Sequence, residues 1–424
     1  MLIHKSLKVR IYPNQIQQTQ INKTLGCCRA IYNMMLYERK EVYELLKNTK
    51  RKLYEYKYKT ELQYKSEFEW MKEADSQALQ QSRINLQNAY SNFFKSLKGK
   101  RKVVCGFPKF KKKKNGSNYK TTMTNEKSIE VNFSNRKIKL PRLGWVKFRD
   151  SRNIFDGKIK SATVSRTSTG KYFVSVLYEQ EFESKGLVLN SNTKIKGLDM
   201  NLNSFYVDEL GNSPEYERIY RKYESKLKHY QRQMSRKKLG STNWKKASLK
   251  VNIVHKKISN CRSDFTHKLS SKLVTENDVI VVENLSLQGM SQALKLGKSI
   301  MDLGYSEFVK QLQYKSLWNN KLLIEADKWF ASSKTCSFCG YKKSDLKLSD
   351  REWICPNCNT HHFRDMNAGQ NLVNYGLNIL DLVGKEIPEF KLVEKISSVQ
   401  NVNFDQEISV KQEYRKINLG QLSI

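Results

Sequence analysis

The sequence predicts a multidomain chain of mixed α+β and α/β class. A small antiparallel β-barrel or sandwich carries a helical bundle inserted near its start. A second strand-and-helix region follows, interrupted by a four-cysteine knuckle. Three observations predict this. The apolar period is three to four over residues 15–98 and two over residues 129–178. At 424 residues the chain exceeds a single compact core and suits two to four domains. Cys336-x-x-Cys339, fifteen residues and Cys355-x-x-Cys358 form the spacing of a zinc ribbon.

The elements follow in order. His4 to Tyr12 alternates basic and apolar residues before Pro13-Asn14, a strand ended by a turn. Gln15 to Lys98 contains no Pro, and Leu79, Leu86, Ala89, Tyr90, Phe93, Phe94 and Leu97 recur at helical spacing, as in a bundle of two to four helices. Lys95 to Lys114 holds ten basic residues and no acid, with Phe107, Pro108 and Phe110 among them. Basic residues interleaved with aromatics suit nucleic acid, although an isolated charge run is usually only solvated. Ile129–Phe133, Ile138–Leu140, Trp145–Phe148, Ile159–Ser165 and Tyr172–Leu177 read as short strands separated by Asn135, Pro141, Asp156-Gly157 and Thr169-Gly170. The N-terminal strand is expected to pair with them, making the helices an insertion. Ile195 to Val207 reads as strand, bend, strand. Tyr216 to Met234 and a helix from Trp244 to Leu269 form a hairpin around Leu239–Asn243. Between Arg218 and Lys250 it carries twelve Lys and Arg against one acid, Glu224. Val279–Val282 is an apolar strand, Phe308–Trp318 a helix, Lys321–Phe330 a strand and Asp365–Leu382 a helix. The tail from Lys385 has six basic and six acidic residues; it adds no net charge and reads as partly disordered.

The formal net charge is +36, from 77 Lys and Arg against 41 Asp and Glu. Folding needs no such excess, and a polyanion that neutralises it is the expected partner. Nucleic acid leads and an anionic membrane surface is the rival; no membrane partner is expected, and with no run of about 18 apolar residues no membrane span is expected either. The first twelve residues lack an apolar signal core. Cys27, Cys28, Cys105 and Cys261 are scattered, as buried thiols of a reducing compartment. A cytoplasmic protein is expected.

Two constellations carry chemistry. Cys336, Cys339, Cys355 and Cys358 would close a tetrahedron around Zn2+, replacing an apolar core. His361 and His362 lie outside that set and read as surface or phosphate-facing. Asp199 ends one strand, Glu283 ends the apolar Val279–Val282 run, and Asp365 opens a helix. Each alone suits a turn or helix cap. Together they suit an oxygen site for Mg2+ or Mn2+, expected as a pair of ions, in phosphodiester hydrolysis. Glu325 and Asp327 are weaker candidates.

These residues resemble the TnpB proteins of bacterial insertion sequences, related to compact type V CRISPR effectors. The resemblance spans nearly the whole chain to about residue 380. It rests on Lys8–Asn14, Gly26–Arg29, Asp75–Leu79, Phe107–Phe110, Gly197-Leu198-Asp199, Val282–Leu285, Ser332–Gly340 and Arg364-Asp365-x-Asn367-Ala368. It implies a wedge β-barrel (1–13 and 118–190) with an inserted helical recognition domain (14–117). An RNase H-like RuvC nuclease domain (191–331 and 361–384) would follow, with a zinc ribbon at 332–360 and a tail at 385–424. Asp199, Glu283 and Asp365 match the three RuvC acids. The implied activity is guided cutting of double-stranded DNA next to a short motif, by a monomer holding one guide RNA from the element's own end, in a bacterial cytoplasm near the nucleoid. Residues expected to touch nucleic acid are Lys109, Lys111, Lys112, Lys113, Arg232, Arg236, Lys237 and Arg364. The chain departs from the family pattern at Phe363, where many members have Asp, at Asn201, where Gly is common, and at Ala331, where Pro is usual. Two alternatives remain open: a guided DNA-binding repressor with an inactive nuclease, and a transposase or accessory protein acting on element ends.

Overall fold

The computed structural model describes residues 2–48, 55–101, 104–113, 117–125, 127–150, 157–183, 190, 192–293, 297–347 and 349–386. Lys102, Lys114, Asp156 and the tail after Glu386 lie outside the described residues. The chain divides into two compact units, Met1–Glu183 and Ser184–Ile424.

In the first unit, β1 (Leu2–Tyr12) buries Ile3, Leu7, Val9 and Ile11 and exposes Leu2, His4, Lys8 and Tyr12, as a strand of period two must. Pro13 ends it, and Asn14 caps α1 (Gln15–Leu46). The Asn14 side chain accepts from Gln17 N at 2.8 Å while Asn14 N donates to the Gln17 side chain at 3.1 Å. Helix α2 (Glu61–Glu67), a short 3-10 segment and α3 (Ser76–Leu97) complete the insertion. The sheet then resumes with β2 (Ser117–Thr122), β3 (Glu130–Asn132), β4 (Lys137–Leu140), β5 (Gly144–Arg149), β6 (Lys158–Arg166) and β7 (Tyr172–Glu181).

The strand order is β2-β6-β7-β1-β5-β4-β3, antiparallel throughout. β1 pairs with β7 from Leu2 to Ile11 and with β5 from Arg10 to Tyr12, so the first strand is central and the helices are an insertion. Among the described residues no ladder joins β2 to β3, so the sheet is open at those edges where a closed barrel was one expectation. One core joins the sheet to the insertion, with Val9, Val174 and Val176 against Ile21, Ile31, Leu79 and Leu86.

The second unit opens with β8 (Ile195–Asn201) and β9 (Phe205–Asp208). The hairpin α4 (Ile219–Ser235) and α5 (Thr242–Glu276) follows, turning at Gly240, whose φ of +81° suits glycine. Next come β10 (Val279–Glu283), the short α6 (Leu287–Ala293) and α7 (Gly297–Leu303), α8 (Tyr305–Trp318) and β11 (Leu322–Ala326). A small hairpin of β12 (Glu352–Ile354) and β13 (His361–Phe363) leads directly into α9 (Arg364–Glu386).

The main sheet has the order β11-β10-β8-β9, with β8, β10 and β11 parallel and β9 antiparallel. Residues Val279 to Val282 of β10 are fully buried because both sheet faces are covered. One core contains Phe205, Leu273, Phe308 and Leu312; another contains Val279, Val281, Leu372 and Leu380. Helix α9 approaches β8 at backbone distance. A Cβ on Gly197 would lie 2.2 Å from the Gly369 carbonyl oxygen, and one on Gly369 would lie 2.7 Å from the backbone of Asp208 and Glu209, so both positions require glycine. Among the described residues no helix is long and apolar enough to cross a membrane.

Candidate active site and metal centre

The three acids meet because of strand register and the seating of α9. Leu198 of β8 stands opposite Val282 of β10 in the parallel ladder, so Asp199 and Glu283 come next, side by side at the strand ends. Their side chains hydrogen-bond to each other. The glycine contact draws α9 onto β8, and Asp365 lies in the first turn of α9. Burial, then the charges of Glu283 and Asp365, hold the Asp199 carboxyl well above the usual carboxylate range. Burial also raises Glu283, opposed chiefly by a hydrogen bond that Ser332 Oγ donates to Glu283 Oε1 at 2.6 Å. Asp365 Oδ2 accepts from Asn201 Nδ2 at 2.8 Å and faces Arg351 at 3.6 Å; Arg364 lies 3.6 Å from its Oδ1. Asn201, a departure from the family pattern, thus holds the third acid.

Two adjacent buried carboxyls favour sharing a proton over carrying two charges. A divalent cation resolves the same repulsion, and hard carboxylate oxygens suit Mg2+ or Mn2+. The three carboxylates stand wider apart than the cysteines: among the described residues only the cysteines form a group of three or more with ligand atoms all within 4.8 Å. Glu325 accepts from Gln313 at 2.6 Å, and Asp327 accepts from the backbone of Trp329 at 2.8 Å; these bonds engage both within their own neighbourhoods.

Cys336 and Cys358 place their sulfurs 3.6 Å apart, as do Cys339 and Cys355. A tetrahedron of four Zn–S bonds of about 2.3 Å has edges of about 3.8 Å, so the set fits zinc. Gly340 has a φ of +76° and donates its N–H to the Cys336 carbonyl at 2.9 Å; Asn359, at +55°, makes the matching bond to Cys355. Leu346 and Trp353 supply the small apolar core. His361 is exposed and pairs with Glu352 at 3.1 Å. His362, expected at the surface, is buried. Strand alternation in β13 turns it inward, onto Trp353 and with Nε2 3.0 Å from the Cys336 sulfur.

A set of contacts that sequence reasoning missed ties the ribbon to α9. Asn367 donates to the Thr335 carbonyl at 2.7 Å and accepts from Ser337 N at 2.9 Å. Asn371 donates to the carbonyls of Ser332 at 2.7 Å and Thr335 at 2.6 Å, and Asn374 donates to that of Ser337 at 3.2 Å. Spacings of four and three align the three amides on one helix face. Asparagine is a poor helix former, so its recurrence at this spacing was a readable signal.

Of the basic residues singled out in the sequence, Lys109, Lys112, Lys113, Arg232, Arg236 and Lys237 are exposed. Lys111 lays its ammonium 4.0 Å over the Tyr32 ring, and its backbone exchanges hydrogen bonds with Asn33 at 2.8 and 3.0 Å. Phe107 packs edge-on against Tyr90 and Phe93, so the basic loop is fastened to the helical insertion. Arg364 lies beside Asp365.

A family described as "Cas12f1-like, TNB domain" matches residues 305–372, one described as "Probable transposase" (OrfB, IS605) matches 175–294, and an associated "Helix-turn-helix domain" matches 1–48. In this chain that last stretch is β1 followed by the single helix α1. A Streptomyces pristinaespiralis protein named "Putative RNA-guided DNA endonuclease" is 32% identical over 379 residues, covering 88% of this chain and 90% of its own. The Escherichia coli K12 protein of the same name, with InsQ appended, is 29% identical over 89% of this chain and 93% of its own. The solved structure titled "Cryo-EM structure of the Cas12f1-sgRNA-target DNA complex" shares the fold, with a TM-score of 0.53 at 13% identity, covering 88% of this chain and 99% of that one.

Proposed function

The chain belongs to the TnpB family of insertion-sequence proteins, and we propose on that footing that it is an RNA-guided endonuclease cutting double-stranded DNA beside a short motif. The meeting of Asp199, Glu283 and Asp365, from two parallel strand ends and one helix start, carries the reading. Residues 191–331 and 361–384 are then the RuvC-type domain, with 332–360 as its zinc ribbon, residues 1–13 and 118–190 the wedge and residues 14–117 the recognition part. The three carboxylates would hold Mg2+ or Mn2+, which supplies activation of water and stabilisation of the leaving oxygen. Ser332 orients Glu283, and Asn201 and Arg364 orient Asp365, so their carboxylates are set before substrate arrives. The exposed basic residues of the α4–α5 hairpin and of Lys109–Lys113 bind RNA and heteroduplex backbone, while base pairing reads the sequence.

The test is cleavage of a plasmid library by protein co-expressed with RNA from the element end, with Mg2+ supplied. Guided cuts are expected next to one short motif. Asp199→Ala should reduce them about 10³-fold, several kcal/mol at 1.4 kcal/mol per tenfold, while leaving RNA binding intact. Binding without cuts would make the protein a repressor. Cuts that persist without RNA would make it an enzyme acting directly on element ends.

A further inference from the structure

Strand β13 exposes His361 and Phe363 and buries His362, which is 5% exposed. Trp353 stands opposite His362 in the β12–β13 ladder, with ring centroids 4.7 Å apart, so packing fixes the imidazole. Its Nε2 lies 3.0 Å from the Cys336 sulfur, nearer to it than the Cys358 sulfur at 3.6 Å. Thr360, two residues earlier and so on the same side of the chain, places its hydroxyl 3.2 Å from the Cys358 sulfur. One short stretch thus addresses two of the four ribbon sulfurs. A thiolate bound to zinc carries no proton, so in the loaded ribbon the hydrogen between Nε2 and sulfur must belong to the ring. Four thiolates around one divalent ion leave an excess of negative charge, and N–H and O–H donors beside the sulfurs offset it.

From these observations we propose that His362 is a positioning residue: its Nε2–H···S bond makes the zinc-bound thiolate of Cys336 an anchor for the start of α9, and through it for Asp365. Strand β13 runs into α9 without a connecting loop, and only Phe363 and Arg364 separate His362 from Asp365. A side chain fixed at His362 therefore leaves little freedom at the carboxylate. Asn367 and Asn371 hold the same helix from the Ser332–Ser337 side, so cutting the His362 tie lets the first turn of α9 shift without detaching it. The same bond sets how firmly zinc is kept, because partners that orient and neutralise a metal ligand strengthen its hold. The consequence for Asp365 rests on the nuclease reading; the bond to sulfur does not.

The experiment uses the full zinc-loaded chain. His362→Phe keeps a flat ring against Trp353 and removes the donor, while His362→Gln keeps a donor near the Nε2 position. Outer partners of a metal ligand change metal affinity by about 10–100-fold, so His362→Phe should lose zinc to a chromogenic chelator about tenfold faster than wild type, and His362→Gln within about threefold of it. With Co2+ in place of zinc, all three proteins should show the spectrum of four thiolates. The sulfur-to-metal charge-transfer band should move to longer wavelength in His362→Phe alone, because a thiolate without its donor gives up an electron more readily. Wild type loaded with NMR-active cadmium should show scalar coupling between the metal and the His362 ring N–H, a measurement that needs no variant to fold. Equal zinc loss from both variants, a His362→Phe protein as slow and unshifted as wild type, or absence of the coupling overturns the bond. A wild-type cobalt spectrum of three thiolates and one nitrogen also overturns it, since His362 would then be a ligand. In guided cleavage at saturating zinc, His362→Phe should need about tenfold more Mg2+ for half-maximal rate, and His362→Gln should restore the wild-type demand. An unchanged Mg2+ demand overturns the link to Asp365. Absence of cleavage by wild type defeats the nuclease reading, while the zinc, cobalt and cadmium measurements still decide the bond.

Discussion

Beside its bonds with Asp199 and the Met200 backbone, Glu283 accepts a short hydrogen bond from Ser332, which comes from a loop 49 residues away. Ser332 is buried, so alanine fits its place but removes that bond and loosens the carboxylate. Partners that orient a metal-binding carboxylate typically change metal affinity or activity by 10–100-fold. Ser332→Ala is therefore expected to raise the Mg2+ needed for half-maximal cleavage about tenfold, with the rate recovering at high Mg2+; a titration of cleavage against Mg2+ checks this. A loss that no Mg2+ restores would place Ser332 in the fold instead. That Asp199 and Glu283 close two strands was legible, because an apolar strand ending in a carboxylate is a local pattern. Ser332, Asn201 and His362 were not, since their importance lies in pairings that only the folded chain brings together. Asn367 and Asn371 stood in between, visible as a spacing whose meaning needed the ribbon opposite.

Helices α5 and α8 meet through polar groups as well as apolar ones. Lys315 donates to the His267 carbonyl at 2.7 Å and to the hydroxyls of Ser270 and Ser271 at 2.8 Å; Ser270 also bonds with Thr266 and Gln311. The groups touching the ammonium are neutral oxygens, and burial lowers its pKa to about 8. Of the nearby titratable groups, His267 is itself held low by burial, with Glu307 and Asp264 opposing that shift. The unfolded chain keeps the Lys315 proton to about pH 10 while the folded chain releases it near 8, so stability contributed here rises with pH across that interval. Above it the buried tyrosines act oppositely, since Tyr206 and Tyr305 are raised by burial and ionise first in the unfolded chain. Lys315→Met is expected to be more stable at pH 7 and to lose the rise between pH 8 and 10, read from urea melts at each pH. A parallel pH dependence in both proteins would remove Lys315 as its source. Element by element, the sequence marked the strongly periodic helices and the apolar β10 well. It left β2 unmarked, because Ser117–Thr122 offers one aromatic among polar residues and is a strand only through its pairing with β6.

Across the whole molecule the +36 charge sets how it meets a polyanion. Six to ten phosphate contacts weaken binding by about 10³–10⁵ between 50 and 200 mM salt. The guide RNA affinity is expected to fall within that range, and a change below tenfold would show that the basic surfaces are not its seat. The charge and the insertion of the helices after the first strand were readable from the outset, whereas the open edges of the first sheet were not. Whether β2 and β3 pair depends on where the sheet's curvature carries them, and neither strand's residues encode that. One further consequence follows from the asparagines of α9. The segment Ser332–Ser337 begins with the hydroxyl that aims Glu283, is gripped by α9 in its middle, and contains the first thiolate of the ribbon. On the proposed reading two ions of unlike chemistry would share one stretch of backbone, and thermodynamic linkage would make their affinities interdependent in both directions. Withdrawing zinc with a chelator should weaken the Mg2+ response of cleavage, and saturating Mg2+ should in turn slow the loss of zinc.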